Sequence, residues 1–149
     1  MLEKFFTLDK KNKIKEVFKK ASLKDILLIK KFKILEKLKF IELPKKGFEE
    51  LEKMIKKISQ LHGGILLIDY GYIQQNNSST LQSDKGHKKN DLLKNLGDAD
   101  VTSLVNFKLL NDYFLKNNLK IKKIVTQKFF LEKMGILERA NNLSVKMNF

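Results

Sequence analysis

The chain has 149 residues, carries a formal net charge of +14 at pH 7 and contains no cysteine, so its length suits one domain and both disulfides and thiolate zinc sites are excluded. Its two histidines are too few for a histidine-rich metal site, and its apolar runs are far shorter than the roughly 20 residues of a membrane-spanning helix. Because the first residues, MLEKFF, include no signal-peptide apolar region, the expected location is the cytoplasm or a cytoplasm-like organelle interior.

The amino-terminal third predicts short elements. Residues 3–19 alternate as two strands around the turn-like DKKNK at 9–13, although a helix over 14–21 competes for the second strand. Ser22 is a candidate cap for a helix over 23–38. A short strand is predicted over 40–43, where the chain's one proline, Pro44, ends it.

The segment 48–61 predicts an amphipathic helix. Its apolar side chains recur at helical spacing with lysines and acids opposite, and they are Phe48, Leu51, Met54, Ile55, Ile58 and Leu61. Gly63 and Gly64 are predicted to end this helix.

The next stretch, GGILLIDYGY at 63–72, predicts a strand buried on both faces, because four apolar residues run between turn residues. With the strand at 40–43 and the intervening helix, it predicts a right-handed strand–helix–strand unit of a parallel α/β sheet. Ligands of such sheets bind at the carboxyl ends of the strands, where Asp69, Tyr70 and Gly71 emerge. In the alternative interpretation, Asp69 caps the strand and Tyr70 packs on the sheet.

Residues 73–99 are polar and aperiodic, which predicts a long loop, either substrate-covering or a mobile surface insert. Asn106 then predicts the start of a helix with Phe107, Leu110 and Phe114 on one face. The pattern predicts a strand over 119–125, helices over 127–134 and 136–141, and a last strand over 143–149, with Thr126 and Gly135 as cap residues.

Arg139 stands out because every other basic residue is lysine. A bidentate, permanently charged group suits either a carboxylate inside the fold or a ligand carboxylate. The lysines are interleaved with Ile, Leu, Phe and Asn, which favours a solvated lysine face. A basic nucleic-acid-binding protein remains an alternative.

Three segments in order resemble the MidA-type methyltransferases, a family that includes a mitochondrial assembly factor for respiratory complex I. They are GGILLIDYGY at 63–72, TLQSDKGHKKND at 80–91 followed by GDADVTSLVNF at 97–107, and TQKFFLEKMGILERA at 126–140. EKFF at 3–6 and FIELPKKGF at 40–48 extend the resemblance. It covers the carboxyl-terminal half of the family.

The resemblance implies a class I, Rossmann-like α/β fold, S-adenosylmethionine as methyl donor, and an acceptor arginine on a respiratory-complex subunit. By position, Asp69, Tyr70 and Gly71 border the acceptor side, with Asp69 or Asp100 holding a guanidinium and His87 taking a proton. The further positions that match family motifs are Gly86, Thr102 and Gln127. The alternatives are capping by Asp100 and Thr102, and a surface-loop histidine at 87.

Two departures limit what this chain does by itself. The family's DLTAHVDF is DVTSLVNF here, and Leu104 cannot serve as a base. The glycine-rich donor loop has no counterpart, since no GxG occurs in the sequence. The 65–69 strand would therefore keep an open edge, covered by the amino-terminal segment, a second copy or a separately encoded first half. The predicted function is the carboxyl-terminal half of a methyltransferase, inactive alone; the alternative is a non-catalytic interaction module.

Overall fold

The computed structural model describes residues 1–74 and 76–147, apart from the side chain of Met147. It is a mixed α/β structure of five helices and several small sheets within that part of the chain. The helices are α1 (Leu23–Lys30), α2 (Lys45–Leu61), α3 (Phe107–Lys116), α4 (Gln127–Lys133) and α5 (Ile136–Met147). The strands are β1 (Leu2–Leu8), β2 (Ile14–Lys20), β3 (Gly71–Tyr72), β4 (Gln82–Lys85), β5 (Lys88–Asn90), β6 (Asp100–Thr102) and β7 (Val105–Asn106).

The two amino-terminal strands form an antiparallel hairpin, as predicted, and the competing helix over 14–21 is wrong. Asp9 holds the turn, because its Oδ1 accepts hydrogen bonds from the backbone N–H groups of Lys11 and Lys13 at 2.8 and 2.9 Å. Asn12 takes the left-handed conformation that this turn needs, with φ 56°.

Ser22 caps α1, as predicted, by accepting from the backbone N–H of Asp25 at 3.1 Å. The helix ends at Lys30 rather than continuing to 38, and a single 3₁₀ turn, Lys33–Leu35, follows. Lys45 then joins three elements, since its Nζ lies 2.7 Å from Glu3 of β1 and 3.3 Å from Asp25 of α1. The hydrogen bond from Ser22 lowers the pKa of Asp25, with Lys45 adding to the effect against partial burial.

The amphipathic helix predicted over 48–61 is confirmed as α2, which begins three residues earlier, directly after Pro44. It ends at Leu61, and its carboxyl-terminal capping residue is His62, with a left-handed φ of 52°, and not a glycine as predicted. Gly63 and Gly64 follow in open space, with no atom within 4 Å of where a Cβ would lie. The strand predicted over 40–43 is wrong, because that segment has no strand pairing.

The core is an aromatic stack between α2, α3 and the segment that follows α1. Tyr113 stacks on Phe48 with ring centroids 4.2 Å apart and planes within 4°, and Phe32 packs on both rings. The Tyr113 hydroxyl donates a buried hydrogen bond of 2.9 Å to the backbone oxygen of Phe48. Within the described residues, the buried apolar side chains are Ile29, Phe32, Leu35, Phe48, Ile55, Leu109 and Tyr113.

The helix predicted after Asn106 is confirmed as α3, and Asn106 caps it by accepting from the N–H of Leu109 at 3.0 Å. The face of α3 that is buried differs from the predicted one. Leu109 and Tyr113 are the buried residues of this helix, whereas the expected Phe107, Leu110 and Phe114 are half-buried.

The polar stretch 73–99 is more ordered than the predicted loop. It contains β4 and β5, which form an antiparallel sheet with β6 in the order β5–β4–β6. Two side chains anchor its beginning to the segment before α2. Asn77 Oδ1 accepts from the backbone N–H of Lys39 at 2.8 Å, and Thr80 binds Glu42.

The buried strand predicted over 65–68 does not form. Residues 64–69 are unpaired in this structure, and Leu66 and Ile68 are 66% and 62% exposed. The strand predicted over 119–125 is likewise unpaired. Consequently the parallel strand–helix–strand unit predicted over 40–69 is absent from the described residues, and the parallel pairing that does occur joins β3 to β7.

The carboxyl-terminal helices follow the predicted caps. Thr126 caps α4 by accepting from the N–H of Phe129, and Gly135 has a φ of 82° after its last turn. The last helix, α5, runs to Met147, so the strand predicted over 143–149 is wrong as far as residue 147. The last two residues of that predicted strand lie outside the described part of the chain.

Phe48→Ala should lower the free energy of unfolding by about 3–5 kcal/mol, because it removes a buried ring that stacks on Tyr113 and contacts Phe32. Urea denaturation followed by circular dichroism measures the change. The control is Leu61→Ala on the same helix, where the side chain is 78% exposed and the expected change is below about 0.5 kcal/mol. Equal losses for both variants would show that α2 buries a different face.

Candidate functional site

A cleft with a volume of about 580 Å³ lies between the unpaired run and helices α2 and α3. Its walls are mainly apolar and include Leu67 and Ile68 of the run and Phe48 and Leu109 of the helices. The ionisable side chains that line it are Lys4, Glu42, Asp69 and Tyr72. An apolar cavity with a few polar groups is the usual form of a small-molecule or side-chain binding site.

Glu42 connects three segments around the cleft through hydrogen bonds. Its Oε1 accepts from the backbone N–H of Thr80 at 2.8 Å and from the Ser79 hydroxyl at 3.2 Å. Its Oε2 accepts from the Thr80 hydroxyl at 2.6 Å. Thr80 Oγ1 in turn accepts from the backbone N–H of Leu104 at 3.0 Å. The segment before α2, the polar stretch and the turn before β7 are thereby tied to one carboxylate.

Tyr72 reaches the cleft because β3 pairs in parallel with β7. Gly71 makes this pairing possible, since a Cβ there would collide with the backbone oxygen of Val105 and the ring of Phe107. Burial raises the pKa of the Tyr72 hydroxyl, the negative charge of Glu42 raises it further, and a hydrogen bond with the Asn106 side chain opposes both. The phenol is therefore held neutral beside a carboxylate.

Of the predicted site residues, Asp69 lines the cleft. Its Oδ1 accepts from the N–H of Tyr70 at 2.7 Å, and no ion pair in the described part of the chain involves it. Tyr70 is 83% exposed and its backbone oxygen accepts from the N–H of Val105. Gly71 lies beside the cleft through the packing described above.

Gly86 and His87 form the two-residue turn between β4 and β5. Both have left-handed backbones, with φ of 56° and 60°, which is the geometry of a type I′ hairpin turn. Both are exposed, and neither lines the cleft.

The four other predicted residues also lie outside the cleft lining. Asp100 and Thr102 are exposed on β6, opposite Asp84 and Gln82 of β4. Gln127 is the first residue of α4. Arg139 is exposed on α5 and forms no ion pair with any carboxylate that the structure describes, so the carboxylate partner expected within the fold is not found there.

The sequence prediction missed Glu42 and Tyr72, which line the cleft, and Thr80, which binds Glu42. All three lie in segments that the prediction singled out, FIELPKKGF, TLQSDKGHKKND and GGILLIDYGY. Their membership of these segments marks them as candidates but does not show that they meet. Glu42 and Thr80 are 38 residues apart, and nothing in the local sequence indicates that they pair.

This cleft is set in a chain that belongs to a family of methyltransferases. Residues 1–125 match the family model described as "Putative S-adenosyl-L-methionine-dependent methyltransferase". The match covers more than half of the chain, and the family is the one that the sequence motifs indicated.

The curated relatives are protein arginine methyltransferases by name. A Caenorhabditis elegans protein, "Protein arginine methyltransferase NDUFAF7 homolog, mitochondrial", is 32% identical over 93 residues, which is 62% of this chain and 22% of the relative. The Xenopus tropicalis and Danio rerio proteins named NDUFAF7 are 29% and 33% identical over 103 and 89 residues. These matches cover 64% and 60% of this chain, and 24% and 21% of the relatives. The shared region is thus less than a quarter of each relative.

The residues of this chain do not fit a complete site for S-adenosylmethionine, the cofactor that the family implies. Nucleotide-type ligands bind where a glycine-rich turn leads from a strand into a helix. No GxG is present, and the space in front of Gly71, the glycine beside the cleft, is filled by Val105 and Phe107.

Among the described residues, no helix has both the length and the apolar character needed to cross a membrane.

Glu42→Gln should lower the pKa of Tyr72 but leave it above the ordinary value, because burial is the larger cause of the shift and the carboxylate charge is the smaller. Titration of the tyrosine Cζ signals by NMR measures the change. Glu52→Gln is the matched control, since Glu52 raises the pKa of the buried Tyr113 and is not among the causes acting on Tyr72. A Tyr72 pKa that stays constant in Glu42→Gln would place the carboxylate away from the phenol.

Proposed function

We propose that this chain is the carboxyl-terminal, acceptor-binding half of an S-adenosylmethionine-dependent protein arginine methyltransferase. Family membership supports the reaction class, and the names of the relatives support arginine as the acceptor. The donor binds only when the donor-binding half of the fold completes the site, and these 149 residues alone are inactive. The acceptor arginine belongs to a subunit of respiratory complex I, and the location is the cytoplasm or, in a eukaryote, the mitochondrial matrix.

The observation that carries this proposal is the unpaired run over residues 65–69. It has the apolar composition of a central strand, yet Leu66 and Ile68 are largely exposed. No backbone hydrogen bond is found for residues 65–69 within the described part of the chain. An apolar strand with free N–H and C=O groups is a template for pairing with another strand. The donor-binding half supplies that strand and completes a Rossmann-like sheet.

The cleft is the acceptor side of the completed site. Asp69 is the best-placed residue to hold a guanidinium, because it lines the cleft at the end of the strand-like run and is free of lysine partners in the described residues. Asp100 and His87 are less suited to that role, since both lie on the small β4–β5–β6 sheet outside the cleft lining. Holding the acceptor nitrogen in line with the donor is the contribution of this chain.

We expect no binding of S-adenosylmethionine to the chain alone. Mixed with the part of the Caenorhabditis elegans relative that precedes the shared region, the chain should form a complex that binds the cofactor more tightly than that part does by itself. Size-exclusion chromatography and isothermal titration calorimetry measure the two events. Cofactor binding by the chain alone would contradict the requirement for a donor-binding half.

Leu66→Lys tests whether the complex forms through the exposed run. A charged side chain on the pairing strand should weaken the complex, because apolar surface there is buried on pairing. Leu61→Lys is the matched control, with a leucine that is 78% exposed outside the run. Equal weakening by both substitutions would show that the complex uses another surface.

Asp69→Asn should reduce methyl transfer by the reconstituted complex at least tenfold, as expected when a charged hydrogen bond to a positively charged acceptor is lost, about 1.4 kcal/mol or more. Stability should change by less than about 0.5 kcal/mol, since the side chain is exposed and bonds its own neighbouring N–H. Transfer of labelled methyl groups to complex I subunits measures the effect. Turnover equal to that of the unaltered complex would remove Asp69 from the site.

A further inference from the structure

Glu42 is held in a single orientation with part of its hydrogen-bonding capacity unused. Its two oxygens accept three hydrogen bonds, two from Thr80 and one from Ser79. An ionised carboxylate offers about four acceptor positions. The carboxylate therefore keeps room for one further donor while its rotamer is fixed.

The charge of Glu42 has no cationic partner among the ion pairs of the described residues, although the chain carries a net charge of +14. The half-buried acids Glu3 and Asp25 are paired with Lys45, whereas Asp9, Asp84 and Asp112 have, like Glu42, no ion pair among the described residues. The charge acts inside the cleft, because it contributes to the raised pKa of Tyr72. A cation that enters the cleft would meet an uncompensated negative charge.

The cleft suits a long side chain with an apolar stem and a charged end. Leu67, Phe48 and Leu109 are among its apolar walls, and Glu42 and Tyr72 are among its polar groups. Arginine and lysine place their methylene stems along apolar surface while their charged ends find polar partners. A guanidinium has five N–H donors, so it can donate to a carboxylate and to a neighbouring phenol oxygen at once.

We propose that Glu42 is a specificity-determining residue that accepts a hydrogen bond from the guanidinium of the acceptor arginine, and that Thr80 is the positioning residue that fixes its carboxylate. The phenol oxygen of Tyr72 accepts a second hydrogen bond from the same guanidinium. This inference rests on the proposed function and adds Glu42 and Tyr72 to Asp69 as cleft residues that recognise the acceptor. The Thr80 hydroxyl matters because it donates to Glu42 while accepting from Leu104.

The test is an NMR titration of the full chain with the blocked peptide Gly-Gly-Arg-Gly-Gly and with its citrulline and lysine counterparts. The arginine peptide should shift the signals of Glu42, Tyr72 and Thr80, and the uncharged citrulline peptide should bind about tenfold more weakly. Because the net charge of the chain repels cations, this preference would arise from local carboxylates. No binding of the arginine peptide, or equal binding of the citrulline peptide, would overturn the inference.

Four variants separate recognition from folding. Glu42→Gln and Thr80→Val should weaken the arginine peptide about tenfold, since the first removes the charge and the second the hydroxyl that fixes it. Thr80→Ser keeps the hydroxyl and should bind as the unaltered chain does. Glu36→Gln, at an exposed glutamate outside the cleft lining, should also have no effect. Unaltered affinity in Glu42→Gln would refute the assignment even if Thr80→Val failed to fold.

This inference and the proposed function can fail separately. Arginine binding that depends on Glu42, without cofactor binding by the reconstituted complex, would support the acceptor site and reject the methyltransferase half. Cofactor binding by that complex, without arginine-peptide binding to the chain, would reject the role of Glu42 and leave the methyltransferase half standing.

Discussion

The contact between Tyr113 and Phe48 is the interaction on which the rest of the structure depends. Parallel ring stacking and the bond from the Tyr113 hydroxyl to the Phe48 backbone fix α3 against the first turns of α2. With the helices fixed, Asn106 at the start of α3 lies beside Tyr72, and β7 lies where it pairs with β3. The cleft is therefore a consequence of helix packing rather than of a central sheet.

Elements held by contacts between residues close in sequence could be predicted, and elements that need a partner far along the chain could not. Ser22, Asn106 and Thr126 cap helices through bonds to residues three positions away, so local sequence suffices to find those helices. A strand needs a partner elsewhere in the chain, or in another chain. The composition of residues 65–68 predicts a buried strand, and this prediction is wrong for the structure, because the described residues supply no neighbour to pair with the run.

The same distinction applies to the cleft. Asp69 was predictable because it follows directly on an apolar run, and the cleft lining includes it. Gly86 and His87 match family motif positions, and the resemblance implies that His87 takes a proton, yet their common left-handed conformation marks them as the two corners of a hairpin turn. Glu42 and Thr80 meet only after the chain has folded, so their pairing left no periodic or local trace in the sequence.

Gly63 and Gly64 place a conformationally free backbone between α2 and the exposed run. A Cβ at either position would have no neighbour within 4 Å, so packing does not demand glycine there. What the pair provides is backbone freedom, because two successive glycines explore more conformations than any other dipeptide. The glycine pair links the packed helix α2 to the unpaired run. In the proposed complex, this freedom would let the run reorient toward the strand of the donor-binding half without disturbing the aromatic core, at the cost of the entropy lost when the glycine backbone is fixed.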